Sequence, residues 1–196
     1  MHLEFLVEEL SAKFALEQLI PKIVGPDHTF AIRDFGSKYE LMKKLESRLR
    51  GYAKMMSDWD ARIVVLVDED RQDCRALKNE IMDMAKRAGI DDKVLCRIVV
   101  EELEAWFFGD LGALRKVYPK LSASLHTQAR YRNPDRIPGG TWEHLDRLLR
   151  QSGYPEGLRK TETAAMVARY MDPWKNRSTS FCAFRDGLIR ITEETR

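Results

Sequence analysis

Short apolar runs alternate along this chain with longer stretches whose apolar residues recur every three or four positions. Leu3-Glu4-Phe5-Leu6-Val7, His28 to Phe35, Ile63-Val64-Val65-Leu66-Val67 and Val94 to Val100 read as strands, the third an unbroken β-branched and leucine run. Between them lie three sets at helical spacing: Phe14, Leu16, Leu19, Ile20 and Ile23; Leu41, Leu45, Leu49 and Tyr52; and Leu77, Ile81, Met84 and Ala85. Pro21 is expected to kink or end the first helix, because it lacks an N–H and crowds the preceding turn. Ser37 and Glu40 have capping-box spacing before the second helix. Asp73 is a candidate cap for the third, and Gly89 closes it. Four strands alternating with three helices predict an α/β, Rossmann-like fold. Its four-stranded sheet is mostly parallel, with right-handed crossovers and helices on both faces.

Beyond residue 101 the strand pattern stops. Glu102 to Val117 reads as a helix, opening Leu103-Glu104-Ala105-Trp106-Phe107-Phe108. Residues 118–140 carry Pro119, Asn133-Pro134, Pro138 and Gly139-Gly140, and read as a loop. Three helices should follow. Thr141 would cap Trp142–Gln151, Thr161 would cap Glu162–Met171, and Ser178 or Ser180 would cap the last. The expected organisation is an α/β core over 1–117 and a loop and helical C-terminal extension over 118–196 packed on it.

Composition narrows the class. The chain has 196 residues, 44% hydrophobic and 33% charged, enough for a full core, and no apolar run long enough to span a bilayer. No basic segment precedes an apolar stretch at the N-terminus, so the expectation is a cytoplasmic protein without a membrane partner. Cys74, Cys96 and Cys182 are far apart and form no Cys-x-x-Cys pair, which disfavours a zinc ribbon or a disulfide scaffold. His2, His28, His126 and His144 have no ligand spacing either. The net charge of +2 says little about partners. Between 111 and 136, however, Arg115, Lys116, Lys120, Arg130, Arg132 and Arg136 face one acid, Asp135, with Tyr118 and Tyr131 interleaved. That segment reads either as a nucleic-acid-binding patch (Arg115, Lys116, Lys120, Arg130 and Arg132) or as a solvated loop and helix face.

The candidate chemistry lies at the strand ends. Glu8-Glu9 follows the first strand, Asp68-Glu69-Asp70 the third, and Glu101, Glu102 and Glu104 the fourth. Ligands of open α/β sheets bind at the carboxyl ends of the strands. Carboxylates gathered there repel and drift toward protonation unless a cation lies between them. Hard oxygen donors of this kind suit Mg²⁺ or Mn²⁺, and phosphate chemistry is the common use of such a site.

A Glu ending strand one followed by an Asp-x-Asp ending a later strand resembles the Toprim domain of topoisomerases, bacterial primases and nucleases of the overcoming-lysogenisation-defect type. Glu8 matches the family's acid–base or metal-binding Glu, and Asp68-Glu69-Asp70 its Mg²⁺-holding pair. Glu102-Leu103-Glu104-Ala105-Trp106 with Asp110, Asn133-Pro134-Asp135, Arg159-Lys160 and Ser178-Thr179-Ser180-Phe181 look like a small uncharacterised prokaryotic branch of that superfamily. The resemblance implies a Mg²⁺-dependent nuclease acting on DNA or RNA. Asp68, Asp70, Glu8 and Glu104 would be the metal ligands, Glu8 the base and Lys160 the group that stabilises charge on the phosphate. It also implies an ABC-type ATPase partner and a role in phage defence. Two positions depart from the pattern: Glu9 replaces a small Gly, and Ala12 stands where the nuclease branch often has a second acid. A non-catalytic partner subunit of an ATPase is therefore the alternative. A phosphorylation receiver with Asp68 as acceptor fits the helical tail and the third acidic cluster poorly.

Overall fold

The computed structural model describes residues 1–56, 58–70 and 72–193. Strands β1 (His2–Val7), β2 (Thr29–Asp34), β3 (Ala61–Asp68) and β4 (Val94–Val99) form an all-parallel sheet in the order β2-β1-β3-β4. Helices α1 (Leu10–Val24), α2 (Lys38–Ala53) and α3 (Cys74–Ala88) connect them. Alternation along the strands divides the core. Leu3, Phe5, Val7, Val64 and Leu66 pack on one face, while Leu6, Ile63, Val65 and Val67 pack on the other against α2 and α3. The first face is covered by α1 together with α4 (Glu104–Gly109), α5 (Leu111–Val117), α6 (Thr141–Gln151), α7 (Lys160–Tyr170) and α8 (Thr179–Glu193). The C-terminal extension therefore shares one core with the sheet.

Local signals explain most element ends. The Ser37 hydroxyl accepts from Glu40 N–H at 3.2 Å, and the Asp73 carboxylate accepts from Arg75 and Ala76 N–H at 2.8 and 3.2 Å. Gly89 closes α3 with φ 74°, a left-handed turn that costs glycine nothing. Pro21 does not end α1, which continues three residues further to Val24.

Other boundaries differ from expectation. The helix expected over 102–117 breaks at Asp110, whose backbone leaves the helical region (φ −127°, ψ 76°). Its carboxylate caps α5 through Ala113 N–H at 3.0 Å and also accepts from Asp172 N–H at 2.9 Å. Thr141 is the first residue of α6 and not its cap. Thr161 lies inside α7, which starts one residue earlier at Lys160 without a side-chain cap. Ser178, not Ser180, caps α8: its hydroxyl accepts from Phe181 N–H at 3.1 Å. The segment 118–140 contains three short 3-10 turns.

The scattered motifs Trp106, Asn133-Pro134-Asp135 and Ser178-Thr179-Ser180 meet in one buried polar network. Asp135 accepts from Ser178 Oγ at 2.6 Å, Ser180 N at 3.0 Å and Ser180 Oγ at 3.2 Å, and Trp106 Nε1 donates to Ser180 Oγ at 3.0 Å. Asn176 Nδ2 donates to Trp106 O at 2.8 Å, while its Oδ1 accepts from Ser178 N–H at 2.9 Å. The Trp106 ring lies 5.0 Å from both Phe181 and Phe184. This network ties the start of α8 to α4, and α4 carries Glu104 into the site.

Candidate functional site

The strand order places a switch point between β1 and β3, because the chain leaves β1 toward β2 and then crosses back over β1 to β3. Crevices form at such points beyond the strand ends. Glu8 directly follows β1, and Asp68 is the last residue of β3. They are joined: Glu8 Oε1 accepts from the Asp68 N–H at 2.6 Å. Glu8 is 5% exposed and Glu104, the first residue of α4, 2%. Burial pushes the Glu8 carboxyl up to about 7, against the pull of the Asp68 N–H and Lys38 and with a further push from Asp70 and Glu9. Burial likewise takes Glu104 up to about 7, with Lys160 opposing. Asp68 is held well above the usual carboxylate range by burial and then by Glu8, Glu104, Asp70 and Glu9. These residues form one electrostatic cluster with a deficit of positive charge.

Two lysines partly answer that deficit. Lys38, the first residue of α2, brings Nζ to 2.8 Å from Asp70 Oδ2. Lys160, the first residue of α7, lies 3.7 Å from Glu9 Oε2 and 5.5 Å from the centre of the Trp142 ring. Burial works against the charge on Lys160, but Glu104, Glu9, Glu102 and Asp68 outweigh it and raise the ammonium's affinity for its proton. Asp70 has φ 49°, an uncommon left-handed conformation for a non-glycine residue. Among the described residues, no three His, Cys, Asp or Glu side chains lie close enough together to hold a metal ion between them.

The strand-four acids take different roles. Glu69 Oε2 accepts from Glu101 N–H at 3.1 Å, linking the β3 and β4 ends. Glu102 Oε2 accepts from Thr141 Oγ1 at 3.0 Å and from Trp142 N–H at 2.8 Å, which makes it the cap of α6 from a distant segment. An acidic cleft of about 290 Å³ lies beside the cluster, lined by Asp70, Glu101, Glu102, Gly140 and Glu143. Gly140 has φ 85°, a left-handed conformation that strains any residue carrying a Cβ, so the turn favours glycine. Removing the remote cap should have a modest, measurable cost. Glu102→Ala is expected to lower stability by about 1 kcal/mol, read as a melting-temperature drop of about 2–4 °C. An unchanged melting temperature would show that α6 does not depend on this cap.

Structure also qualifies the two departures in the sequence pattern. Glu9 sits at φ −130°, ψ 154°, ordinary extended backbone, so its turn does not need glycine. Ala12 packs against the core, and no acid stands there. Three members of the basic segment have intramolecular roles. Arg115 Nε donates to Leu121 O at 3.3 Å, Lys116 lies over the Tyr170 ring, and Lys120 donates to Gly153 O at 3.0 Å and lies over Tyr154. Arg130 and Arg132 are exposed. The 111–136 stretch thus spreads its cations around the α5–α6 connection, and three of them help hold it together.

No local sequence pattern marks Lys38, Glu143 or the capping role of Glu102, because each depends on a partner from another element. The Gly-Gly pair before Thr141 signals only a helix start needing an outside cap. No helix among the described residues is long and apolar enough to cross a membrane. None of the curated proteins and none of the solved structures matches this chain. A family model does match residues 7–189, spanning the sheet, the acidic cluster and the helical extension. The chain belongs to that family, described as a domain of unknown function, DUF4276.

Proposed function

We propose that this protein is a Mg²⁺- or Mn²⁺-dependent phosphodiester hydrolase of the Toprim type acting on DNA or RNA. The observation that carries the reading is the gathering of Glu8, Asp68 and Glu104 at the β1/β3 switch point, where the Asp68 N–H holds Glu8 at 2.6 Å and burial, with the neighbouring acids, raises all three carboxyls above their ordinary range. The donor set is all hard oxygen, which suits these ions. Binding would draw Asp68 and Asp70, with Glu8 as a further ligand or as the base beside them, closer together than the described side chains lie, with Glu104 behind them and Asp70 exchanging Lys38 for the metal. When bound, the cation would neutralise this charge and polarise the phosphate. Where Glu8 stays off the metal, its carboxyl, pushed up by burial to about 7, would accept a proton near neutral pH and serve as the base. Lys160 is the fixed cation on the α7 side and would offset charge developing on the phosphate.

A second reading, a non-catalytic partner subunit of an ABC-type ATPase, draws support from Ala12 and from the Lys38–Asp70 ion pair, which already consumes one carboxylate. One experiment separates the two: Mg²⁺ and Mn²⁺ titration followed by melting temperature, with cleavage of plasmid DNA and of RNA read in parallel. The hydrolase reading expects metal-dependent stabilisation and cleavage, both lost in Asp68→Ala/Asp70→Ala. Absence of both in the wild-type chain would favour the partner reading. Cleavage that survives the double substitution would place the chemistry elsewhere.

A further inference from the structure

We propose that the free edge of β4 is a docking groove for an extended, acidic peptide segment of a partner protein, which would add to the sheet as a fifth strand. Among the described residues, β4 ends the sheet and pairs with β3 alone. Its outer side opens into a groove of about 310 Å³ between α3 and the first turn of α8. Cys96, Ile98, Val100 and Ala183 supply most of the groove's apolar wall, and the remainder comes from both helices. Every charged lining residue is a cation: Arg75, Lys78 and Arg97.

Arg97 is a fixed charge. Its Nε donates to Ala183 O at 2.9 Å and its Nη1 to Cys96 O at 3.0 Å, and its guanidinium packs so closely on Gly187 that a Cβ there would meet Nη2 at 2.5 Å. Arg75 and Lys78 are exposed on α3, with no ion pair among the described residues. Open strand edges recruit other strands, and charge on an edge selects which ones. A cationic rim over an apolar floor disfavours neutral strands and matches one whose side chains alternate acidic and β-branched. The apolar wall and the row of strand backbone favour a peptide over a nucleic-acid strand, which would need stacking faces that this groove lacks.

The test uses the full chain and three labelled probes: a peptide of alternating Glu and Val, its Lys/Val counterpart, and a ten-nucleotide oligothymidylate. Fluorescence anisotropy should give at least about tenfold tighter binding of the Glu/Val peptide than of the Lys/Val peptide. Hydrogen exchange should slow at the β4 amides when the Glu/Val peptide is bound. Arg75→Glu/Lys78→Glu changes only exposed side chains, so its melting temperature should match wild type while its peptide preference reverses. Equal binding of both peptides, binding without β4 protection, or stronger binding of the oligonucleotide would each overturn the proposal. The last would make the groove a polyanion surface.

Discussion

Asp68→Asn should make this protein more stable at pH 8 while abolishing any effect of Mg²⁺. Asn keeps the backbone N–H that donates to Glu8 and takes an ionisable carboxyl out of a crowded cluster whose members raise one another's affinity for protons. The sign follows from linkage. Glu8 and Glu104 have folded pKa values of about 7 against 4.5 for the free side chain. The folded chain therefore binds more protons than the unfolded chain between those values, and stability falls as pH rises from 4.5 through 7. A shift of that size corresponds to on the order of 3 kcal/mol for Glu8, shared with its coupled neighbours. Removing one of the mutually opposed carboxyls should recover part of it, a gain on the order of 5 °C at pH 8. At pH 5, where the cluster carries its protons, the gain should nearly vanish. Differential scanning fluorimetry from pH 5 to 8, with and without 10 mM Mg²⁺, reads both effects. A loss of stability equal at both pH values would mean that the Asp68 carboxylate is a structural acceptor and not one of a set of mutually repelling charges.

Asp135→Ala should cost about 3 kcal/mol, a melting-temperature drop of about 6–12 °C. The substitution leaves the Ser178 hydroxyl and the Ser180 N–H and hydroxyl without their acceptor in a region that water does not reach. Asp135→Asn retains one acceptor oxygen but turns donors toward other donors, and should fall between the two. Hydrogen exchange adds a spatial readout: amides in the first two turns of α8 and around Trp106 should exchange faster, while those of α2 and α3, on the opposite face of the sheet, should not. Uniform acceleration across both faces would show that Asp135 supports the whole fold and not the junction of α4 with α8.

The Asp135 network changes how the scattered motifs are understood. Trp106, Asp135 and Ser178 to Phe181 lie far apart in sequence and are joined by hydrogen bonds and ring packing. Asp135 and the serines are structural acceptors and donors, whereas Glu104 and Lys160, from neighbouring motifs, reach the acidic cluster. Glu4 has a similar structural role at the opposite end of β1: buried, it accepts from Arg33 at 2.8 Å and from Tyr52 at 2.8 Å. An acid in a strand is thus a structural acceptor at Glu4 and part of a charged cluster at Glu8, and the partners decide which.

The strands, the helices between them and most of the caps were legible in the sequence because each depends on neighbours a few residues away. Period-two and period-3.6 patterns, Ser37, Asp73 and Gly89 act locally, and all-parallel pairing follows from helical crossovers between apolar strands. Glu8 and Asp68 were legible as strand-end acids for the same reason. What only the tertiary structure decided depends on segments meeting through space. The order β2-β1-β3-β4 brings Glu8 against Asp68. Lys38 takes Asp70, Glu102 caps α6 across thirty-nine residues, and Asp135 anchors a helix forty-three residues away. Buried polar groups require partners wherever they can be found. Sequence spacing carries no record of a partner that arrives from another element.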